Sequence, residues 1–557
     1  MLLPEILVGR AADQPDKLAY TFLNELGEET AQLTYAGLHE RARAVAAQLS
    51  RHCAPGDRAL LVFPQCLDFI VAYFGCLYAQ VIAVPVNPPR RNRVQDATPA
   101  VIADCEPAAV LTVSTSAGLK PTVDELCGPL PWLAVDELPA ADFRPLMPGA
   151  DTTAFLQYTS GSTSAPKGVM VSHGNLVANQ EMIRHGFGHD EHSTVVGWAP
   201  FFHDQGLIGN VLQPLYVGAT SILMSPAAFI RRPMLWLTTI SRYRAHTSGG
   251  PNFAFDACVS RAGKETVADL DLSCWRVAFN GAEPIRPETL RRFSETFGLA
   301  GFRQDACYPC YGLAEATLIV TGSRKGRGPV TRTVEVAELA RKRFTESGQG
   351  RALAGSGTVL PGGAVRIVDP ESRQPCGPGE VGEIWVSGEH VAQGYWKRPE
   401  TTDETFRACC AGETGPAYLR TGDLGVLADG ELYVVGRLKD LVIIRGRNYY
   451  PQDIEQTVES AHPALRRGAA AAFAVPSDAG EKLVVVAEIN RDFRNEADPA
   501  DVAAAVRAAV VAEHELALGG LVLTMPGQLA KTSSGKIMRG WAKQRYLADE
   551  FVSWERK

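Results

Sequence analysis

Short helical and strand-like patterns alternate along the first ~440 residues, and this alternation restricts the possible folds more than any other feature. The first succession comprises helix-like Leu38 to Leu49, strand-like Ala59 to Val62, helix-like Leu67 to Ala79 and strand-like Val81 to Val86, ended by Pro88-Pro89. The strand-like runs are continuously apolar, which is typical of strands that are covered on both faces of a mostly parallel sheet. The pattern therefore predicts a layered α/β architecture.

The pattern changes twice further along the chain. From Gly355 it becomes short β-branched runs separated by Gly and Pro, which favour a small antiparallel subdomain. After residues 437–440 it becomes strand, helix, strand and an Ala/Val-rich helix over Ala500 to His514. We therefore expect an α/β fold with a large N-terminal domain of layered α/β subdomains over 1–438, a β-rich subdomain at about 355–438, and a small α+β C-terminal domain over 439–557.

Composition excludes several classes of protein. The 557 residues are 46% hydrophobic and 21% charged, which is ordinary for a globular chain, and the net charge of −7 provides no basic field for nucleic acid. Twelve cysteines are too sparse for a disulfide scaffold. The N-terminal sequence lacks the basic and apolar regions of a signal peptide. The apolar run Phe69 to Val86, interrupted by Gln80, indicates a core helix and strand rather than a membrane span. We expect a cytoplasmic protein with reduced thiols.

A loop rich in Ser, Thr and Gly is the most informative local feature. It lies within YTSGSTSAPKGVMVSH, Tyr158 to His173, after a strand-like segment and before a helix-like one. Its backbone N–H groups and hydroxyls can approach phosphate oxygens, and Lys167 adds a positive charge. The pattern is not a Walker motif, because Lys167 follows Pro166 and no G-x-x-x-x-G-K-[ST] is present. Taken alone, an ordinary Ser/Gly-rich turn remains an alternative to a phosphate cradle.

Six further motifs follow this loop in a fixed order. They are GWAPFFHDQGLIG at Gly197 to Gly209, NGAEP at Asn280 to Pro284, YGLAEAT at Tyr311 to Thr317, YLRTGDLG at Tyr418 to Gly425, GRLKDLVIIRGRNYYP at Gly436 to Pro451 and KTSSGKIMR at Lys531 to Arg539. Together with the loop they resemble the motifs of the adenylate-forming superfamily, which includes acyl-CoA synthetases, adenylation domains, luciferase and fatty acyl-AMP ligases. The resemblance implies that ATP activates a carboxylate to an acyl-adenylate, with release of pyrophosphate.

Such a reaction needs charge neutralisation more than proton transfer. A carboxylate with an ordinary pKa near 4 is ionised at neutral pH, so the nucleophile needs no general base. The resemblance assigns the β- and γ-phosphates to the loop and assigns Mg²⁺, a hard cation that prefers oxygen ligands, to Glu315 with Thr163. The loop residues assigned to the nucleotide are Thr159, Ser160, Gly161, Ser162, Thr163 and Lys167.

The later motifs provide the remaining nucleotide site in this resemblance. Asp423 is expected to accept hydrogen bonds from the ribose hydroxyls, with Arg437 in support. Tyr311 is expected to stack on the adenine. The other residues assigned to the nucleotide are Gly281, Ala282, Glu283, Gly312 and Leu313.

Three residues are assigned to the reaction and to domain motion. His203 is expected beside the α-phosphate and the carboxylate entry, although a lone histidine is more often a satisfied core residue. Lys536 matches the lysine that reaches from the C-terminal domain to carboxylate and α-phosphate, which suits a compact charge on a long stem. Lys439 matches the hinge about which a mobile C-terminal domain turns between the two half-reactions.

Several departures favour the fatty acyl-AMP ligase branch. Ser164 stands where acyl-CoA synthetases usually carry Gly, and Ala314 stands where they usually carry Thr. Cys307 and Cys310 form a C-x2-C, but no suitable second pair supports a zinc site. Glu315 and Gly355 are 40 positions apart (355 − 315). The extra segment, about 325–354 with a predicted helix over Val334 to Phe344, resembles an insertion thought to restrict the conformations that coenzyme A requires; a tolerated loop expansion is the alternative.

The resemblance therefore implies a fatty acid substrate and acyl transfer to the phosphopantetheine thiol of a separate acyl carrier protein, because the chain holds no Asp-Ser-Leu-type carrier site. Basic residues at the start of the extra segment, Arg324, Lys325 and Arg327, are candidates for meeting an acidic carrier. A medium- or long-chain acyl-CoA synthetase is the nearest alternative. A catalytically silent nucleotide- or lipid-binding relative is the alternative outside enzymes. Acyl chain length does not follow from the motifs.

Overall fold

The computed structural model describes residues 1–89, 97–159, 166–263, 267–444, 447–477, 480–532 and 535–554. The strands in the described ranges are β1 (Leu18–Leu23), β2 (Glu29–Thr34), β3 (Arg58–Val62), β4 (Ile82–Val86), β5 (Ala109–Thr112), β6 (Trp132–Ala134), β7 (Thr153–Thr159), β8 (Lys167–Ser172), β9 (Thr194–Gly197), β10 (Thr220–Met224), β11 (Thr247–Gly250), β12 (Val277–Asn280), β13 (Cys307–Gly312), β14 (Ile319–Gly322), β15 (Thr331–Val334), β16 (Arg351–Ala354), β17 (Thr358–Val359), β18 (Gly363–Val368), β19 (Gly382–Gly388), β20 (Leu419–Ala428), β21 (Glu431–Arg437), β22 (Val442–Ile444), β23 (Arg447–Tyr449), β24 (Leu465–Ser477), β25 (Gly480–Ile489) and β26 (Leu518–Thr524).

Helices cover and connect these strands. In the same ranges the α-helices are α1 (Leu3–Asp13), α2 (Tyr35–Leu49), α3 (Leu67–Ala79), α4 (Thr98–Cys105), α5 (Lys120–Cys127), α6 (His173–Phe187), α7 (Gln213–Val217), α8 (Pro226–Arg231), α9 (Pro233–Arg242), α10 (Asn252–Arg261), α11 (Pro287–Phe297), α12 (Val336–Ala340), α13 (Pro399–Phe406), α14 (Pro451–Ala461), α15 (Pro499–His514) and α16 (Arg539–Leu547). A π-helical segment over Gln205–Leu212 leads into α7.

Two mostly parallel sheets form the centre of the molecule. Within the described residues, one sheet has the order β17-β14-β13-β12-β11-β9-β10-β1-β2 and the other has the order β6-β5-β3-β4-β7-β8. Strands β1 and β9 to β13 pair in parallel, whereas antiparallel strands lie at the sheet edges. Helices on the sheet faces bury continuous apolar strands such as β4, of which every residue is buried. The predicted α/β fold class is confirmed.

The apolar run at residues 69–86 forms a helix and a strand, as expected from the sequence. Helix α3 is buried on nearly all sides, because it packs between α2 and the sheet. Its glycine, Gly75, allows α2 to come close, since a Cβ there would lie 2.3 Å from Cγ1 of Val45. In the part of the chain that the structure describes, no helix is long and apolar enough to cross a membrane.

Smaller antiparallel and mixed sheets follow along the chain. Strands β18 to β21 form a four-stranded antiparallel sheet, and β24 to β26 form a three-stranded sheet packed against α14 and α15. The extra segment forms the strand pair β15 and β16 with the short helix α12 between them. The helix predicted over Val334 to Phe344 is therefore too long. Val334 is the last residue of β15, where it pairs with Arg351 on β16. Arg343 forms an isolated β-bridge with Glu380 and is not part of the helix.

A buried ion-pair network joins the segment after β21 to the last helix. The Arg539 guanidinium donates to both carboxylate oxygens of Glu455 on α14, each at 2.7 Å, and to Oδ2 of Asp440 at 3.0 Å. The side chain of Glu455 is only 6% exposed. A buried carboxylate without a cation lowers the stability of the fold. Arg539 is therefore needed to stabilise the buried Glu455.

Replacing Arg539 with Ala is expected to destabilise this part of the chain by about 3–5 kcal/mol, since the Glu455 carboxylate would stay buried with only the N–H of Ala472 and without its cation. The thermal unfolding midpoint measures the effect. Arg447→Ala is the control, because Arg447 pairs with Glu515 at the surface, with side chains 55% and 79% exposed, and such pairs contribute about 0–1 kcal/mol. Equal midpoints for the two variants would contradict the network's role.

Candidate functional site

A cleft of roughly 2540 Å³ opens at the carboxyl ends of the parallel strands β11, β12 and β13. Open α/β sheets bind ligands at this edge, because the loops that leave neighbouring strands meet there. The loop after β12 carries Gly281, Ala282 and Glu283, and the end of β13 carries Tyr311 and Gly312, followed by Leu313. All six residues line the cleft, so the structure brings the NGAEP and YGLAEAT motifs together.

Asp423 is held between a cation and a phenol. Arg437 donates from Nε to Oδ1 of Asp423 at 2.8 Å, and the Tyr311 hydroxyl donates to Oδ2 at 2.9 Å. The first contact follows from register, because Asp423 on β20 is directly opposite Arg437 on β21. The charge of Asp423 raises the pKa of Arg437, and burial raises the pKa of Tyr311. The carboxylate is thus fixed in position by groups from two different sheets.

A second cluster contains Glu315 and Lys167. The Tyr395 hydroxyl donates to Oε1 of Glu315 at 2.9 Å, and Nζ of Lys167 lies 4.7 Å from the centre of the Tyr395 ring. Burial, followed by the charge of Glu315, raises the pKa of Tyr395. Thr159 ends β7 directly opposite Lys167 on β8. The remaining loop residues of the sequence prediction, Ser160, Gly161, Ser162 and Thr163, lie outside the described residues, as does Ser164.

His203 and Asp204 lie before the π-helical segment. Burial lowers the pKa of His203 to about 4, and the positive charge of Lys536 contributes in the same direction. Burial raises the pKa of Asp204, opposed by the N–H of Gln205, which donates to Oδ1 at 2.7 Å. A neutral imidazole therefore faces the cleft at physiological pH.

Lys536 reaches this cleft from the C-terminal part of the chain. Its side chain is exposed to the cleft, yet surrounding protein atoms desolvate it, and this burial lowers its pKa. The Arg437 cation acts in the same direction, whereas the carboxylates of Asp423, Asp204 and Glu283 favour the charged lysine. The turn is supported by the hydroxyl of Thr532, which accepts from the Lys536 N–H at 3.0 Å. Lys536, His203 and Asp423 are therefore electrostatically coupled in one cleft.

Lys439 lies directly after Arg437 and Leu438, in a short 3-10 turn that ends at Asp440. Burial lowers its pKa, as does the neighbouring Arg437. Lys439 also lines the cleft.

The comparisons with known proteins agree with this geometry. The family described as AMP-binding enzyme matches residues 7–396, and the AMP domain described as Disco-interacting protein 2-like matches residues 439–555. The chain belongs to the AMP-binding enzymes. Within this family it is a fatty acid–AMP ligase by full-length similarity, as the following relatives and solved structures indicate.

Three relatives cover nearly the whole chain. The medium-chain-fatty-acid–[acyl-carrier-protein] ligase JamA of Moorena producens is 43% identical over 99% of this chain and 96% of its own length. The long-chain-fatty-acid–AMP ligase FadD23 of Mycobacterium tuberculosis is 38% identical over 98% and 96%. The putative fatty-acid–CoA ligase FadD21 of the same species is 38% identical over 98% of each chain.

Two solved structures are similar over the full length. The fatty acyl-adenylate ligase of L. pneumophila in complex with acyl adenylate and pyrophosphate is 38% identical, covers 100% of this chain and 98% of its own, and has a TM-score of 0.77. A structure from a study of fatty acyl-adenylate ligases of E. coli and L. pneumophila is 33% identical, covers 98% of each chain and has a TM-score of 0.89.

Several residues of this AMP-binding enzyme's cleft did not follow from the motifs. Tyr395, which orients Glu315, lies in the sequence AQGYWKRP, which contains no pattern that predicts a functional site. Asn252 donates its backbone N–H to Oε1 of Glu283 at 2.8 Å, so that the Glu283 carboxylate faces α10. Because its carboxylate is directed to α10, Glu283 can contact an adenine only through its backbone. The neighbouring Ala282 has φ of +69°, which strains this loop beside the cleft.

The depressed pKa of His203 predicts acid lability. In the unfolded chain the imidazole takes up a proton near pH 6.5, whereas in the folded enzyme it does so only near pH 4. Its contribution to stability is therefore complete above pH 6.5 and is lost as the pH falls towards 4. At pH 4.5 the loss amounts to about 2.5 kcal/mol.

His203→Gln is expected to lose less stability than the wild type between pH 7 and pH 4.5. Thermal unfolding midpoints of both proteins at the two pH values measure this difference. His192→Gln is the matched control, because His192 is exposed and forms its contact with Glu191 at the surface. A wild-type slope in the His203 variant would show that this imidazole is not buried in its neutral form.

Proposed function

We propose that the protein uses ATP to activate a fatty acid as acyl-adenylate and then transfers the acyl group to the phosphopantetheine thiol of a separate acyl carrier protein. The observation that carries the proposal is the meeting of Lys536, Asp423 with Arg437, and His203 in one cleft. The relatives named as fatty acid–AMP and fatty acid–acyl-carrier-protein ligases support it.

In the first step an oxygen of the fatty acid carboxylate attacks the α-phosphorus of ATP. The bond between the α-phosphorus and the bridging oxygen breaks, and pyrophosphate leaves with that electron pair. No proton is transferred, because the carboxylate is already ionised. Two anions must approach, so the cation of Lys536 would neutralise charge between them. Neutral His203 would line the entry without attracting a competing anion.

The nucleotide would lie across the carboxyl ends of β12 and β13. We assign the ribose hydroxyls to Asp423, whose two oxygens are oriented by Tyr311 and Arg437. The adenine would contact the Tyr311 ring and the backbone of the remaining assigned residues Gly281, Ala282, Glu283, Gly312 and Leu313. The phosphates would contact the loop between Thr159 and Lys167.

The described residues fit a Mg²⁺ ion that is held mainly by the substrate. Glu315 offers one carboxylate, oriented by Tyr395, and Thr163 is the second assigned ligand. Mg²⁺ in nucleotide sites is typically bound by one or two carboxylates plus phosphates and waters, and it would neutralise the leaving pyrophosphate. Within the described ranges no group of three or more His, Cys, Asp or Glu residues could form an all-protein metal cage.

We further propose that the chain divides into a large N-terminal domain over 1–438 and a mobile C-terminal domain over 439–557, with Lys439 as the hinge. The two family matches, which end at 396 and begin at 439, support this division. Lys536 belongs to the second domain and must leave the cleft before a thiol can approach the acyl-adenylate. The two half-reactions therefore require a rotation between the domains.

The extra segment at about 325–354 would limit that rotation. Arg351 on β16 forms an ion pair with Asp453 on α14 at 2.7 Å, with side chains 15% and 17% exposed. The Asn448 side chain also donates to the carbonyl of Ala340 at 3.3 Å. Burial raises the pKa of Asp453 to about 6, opposed by the Arg351 charge, so the pair weakens as the pH falls below 6. These contacts support a restriction on acceptors such as coenzyme A.

Replacing Lys536 with Ala is expected to slow acyl-adenylate formation by about 10²- to 10³-fold or more, because the charge between carboxylate and phosphate is lost. ATP affinity should change little. Fatty-acid-dependent ATP–pyrophosphate exchange and equilibrium binding of ATP measure the two effects. Lys543→Ala on α16 is the control. Exchange at the wild-type rate in the Lys536 variant would overturn this assignment, whereas no exchange by the wild type would favour a nucleotide-binding protein that lacks the activity.

Replacing Arg351 with Ala is expected to raise acyl transfer to coenzyme A relative to transfer to a holo acyl carrier protein. A tenfold change in this ratio corresponds to about 1.4 kcal/mol. Acyl-CoA and acyl-carrier products are measured in parallel by mass spectrometry. Arg343→Ala is the control, because Arg343 lies in the same segment but pairs with Glu380 at the surface. Efficient acyl-CoA formation by the wild type would instead identify an acyl-CoA synthetase.

A further inference from the structure

One arm of the cleft extends inward between helix α6 and strands β11 and β12. Its lining includes Ile183 and Phe187 from α6, Thr247 and Gly249 from β11, and Phe279 from β12. Gly249 lets the Phe279 ring lie directly against β11, because a Cβ there would lie 2.5 Å from Cγ and from Cδ2 of Phe279. Apart from Thr247 these residues carry no polar side chain, which suits an acyl chain rather than a polar substrate.

Aromatic rings close the inner end. The rings of Phe187 and Phe279 stack, with centres 5.9 Å apart and planes at 11°. The Tyr308 and Phe187 rings meet edge to face, with centres 4.9 Å apart. Phe187 and Phe279 are only 8% and 6% exposed. Thr247, the first residue of β11, completes this end and is only 1% exposed.

A hydrogen-bonded network supports Thr247 from behind. Its Oγ1 lies 2.7 Å from Nε2 of His189 and 2.8 Å from Nδ1 of His246. Nε2 of His246 lies 2.8 Å from Nζ of Lys325, and Gln213 donates to Nδ1 of His189 at 3.4 Å. Each ring nitrogen of His189 and His246 therefore has a polar partner. These contacts hold Thr247 in place, so a longer acyl chain cannot displace it easily.

Both imidazoles are neutral at physiological pH. Burial lowers the pKa of His189 to about 3 and that of His246 to about 4, and the Lys325 charge contributes to both. Neutral rings are compatible with the apolar end of an acyl chain, whereas a charged ring would lose its hydration when such a chain covers it.

We propose that Thr247, Phe187 and Phe279 form the floor of the acyl tunnel and restrict the enzyme to medium-length fatty acids. The inference rests on the proposed function and adds the length of its substrate. From Gly250, at the mouth of β11, to Thr247 the strand rises by three residues, or about 10 Å. An extended polypeptide advances about 3.3–3.6 Å per residue of three backbone bonds. An extended acyl chain advances by a similar distance per three bonds, so this depth holds an acyl chain of about eight carbons.

The test measures acyl-adenylate formation for saturated acids from butanoic to octadecanoic acid with the full-length wild-type enzyme. The specificity constant kcat/KM should be highest near octanoic acid. Hexadecanoic acid should react at least about tenfold more slowly, because even one methylene that does not fit a pocket changes the rate by about tenfold. Octadecanoic acid should be poorer still.

Two variants should move the optimum in opposite directions. Ile183→Phe fills the arm above the floor and should shift the optimum towards hexanoic acid. Phe187→Leu removes ring volume at the floor and should shift it towards longer acids. Phe293→Leu is the matched control, because Phe293 is also a buried phenylalanine but lies in a different core cluster, so the optimum should stay unchanged.

The possible outcomes distinguish the proposed function from the proposed tunnel floor. If the wild type forms no acyl-adenylate from any acid, the proposed function fails. If it forms acyl-adenylate but prefers hexadecanoic acid, or if neither folded variant moves the optimum, the proposed function stands and the tunnel floor is wrong. If one variant does not fold, the wild-type series and the other variant still decide the question.

Discussion

The cleft depends on one lysine side chain, Lys536, which reaches into it and is desolvated by the surrounding protein atoms. Burial lowers the pKa of Lys536, and Arg437 opposes its charge further. The carboxylates of Asp423, Asp204 and Glu283 favour the charge; Asp423 lies on β20, whereas Asp204 and Glu283 lie on the loops after β9 and β12. The parallel strands matter because their carboxyl ends bring these two loops together. The arrangement gives Lys536 a strong attraction for incoming anions, since its own partners satisfy it only in part.

This balance also explains why the groups around Lys536 are neutral or paired. Arg437 would repel the lysine strongly if it were free, but its charge is directed to Asp423 at 2.8 Å. His203 is neutral because burial lowers its pKa to about 4. An imidazolium here would compete with the lysine for anions, whereas neutral imidazole leaves the field of the cleft to Lys536. The motifs in the sequence are thus coupled electrostatically as well as by spacing.

The sequence predicted most of the fold, and its motifs contain many of the residues that line the cleft, because both leave local signals. Apolar runs identified strands such as β4, and helix α3 begins and ends at the predicted residues. Motif order identified Asp423, Arg437 and Lys536 before any contact was known. Tyr395 was missed because its role depends on a hydrogen bond to Glu315, 80 positions away. The overlong helix prediction at Val334 failed because strand pairing with Arg351 overrides a local periodicity.

The extra segment connects the two features that the motifs left open. Near its start, Lys325 contacts His246 behind the tunnel floor, and near its end, Arg351 contacts Asp453 on α14. The first contact lies behind the proposed tunnel floor, and the second ties the extra segment to the part of the chain that we propose rotates before acyl transfer. The two contacts are separate, because β15 and α12 lie between Lys325 and Arg351 along the chain. A change in this segment can therefore alter the choice of acyl chain and the choice of acceptor through different residues. Deleting the whole segment would mix the two effects, whereas single substitutions at Arg351 and at the floor keep them apart.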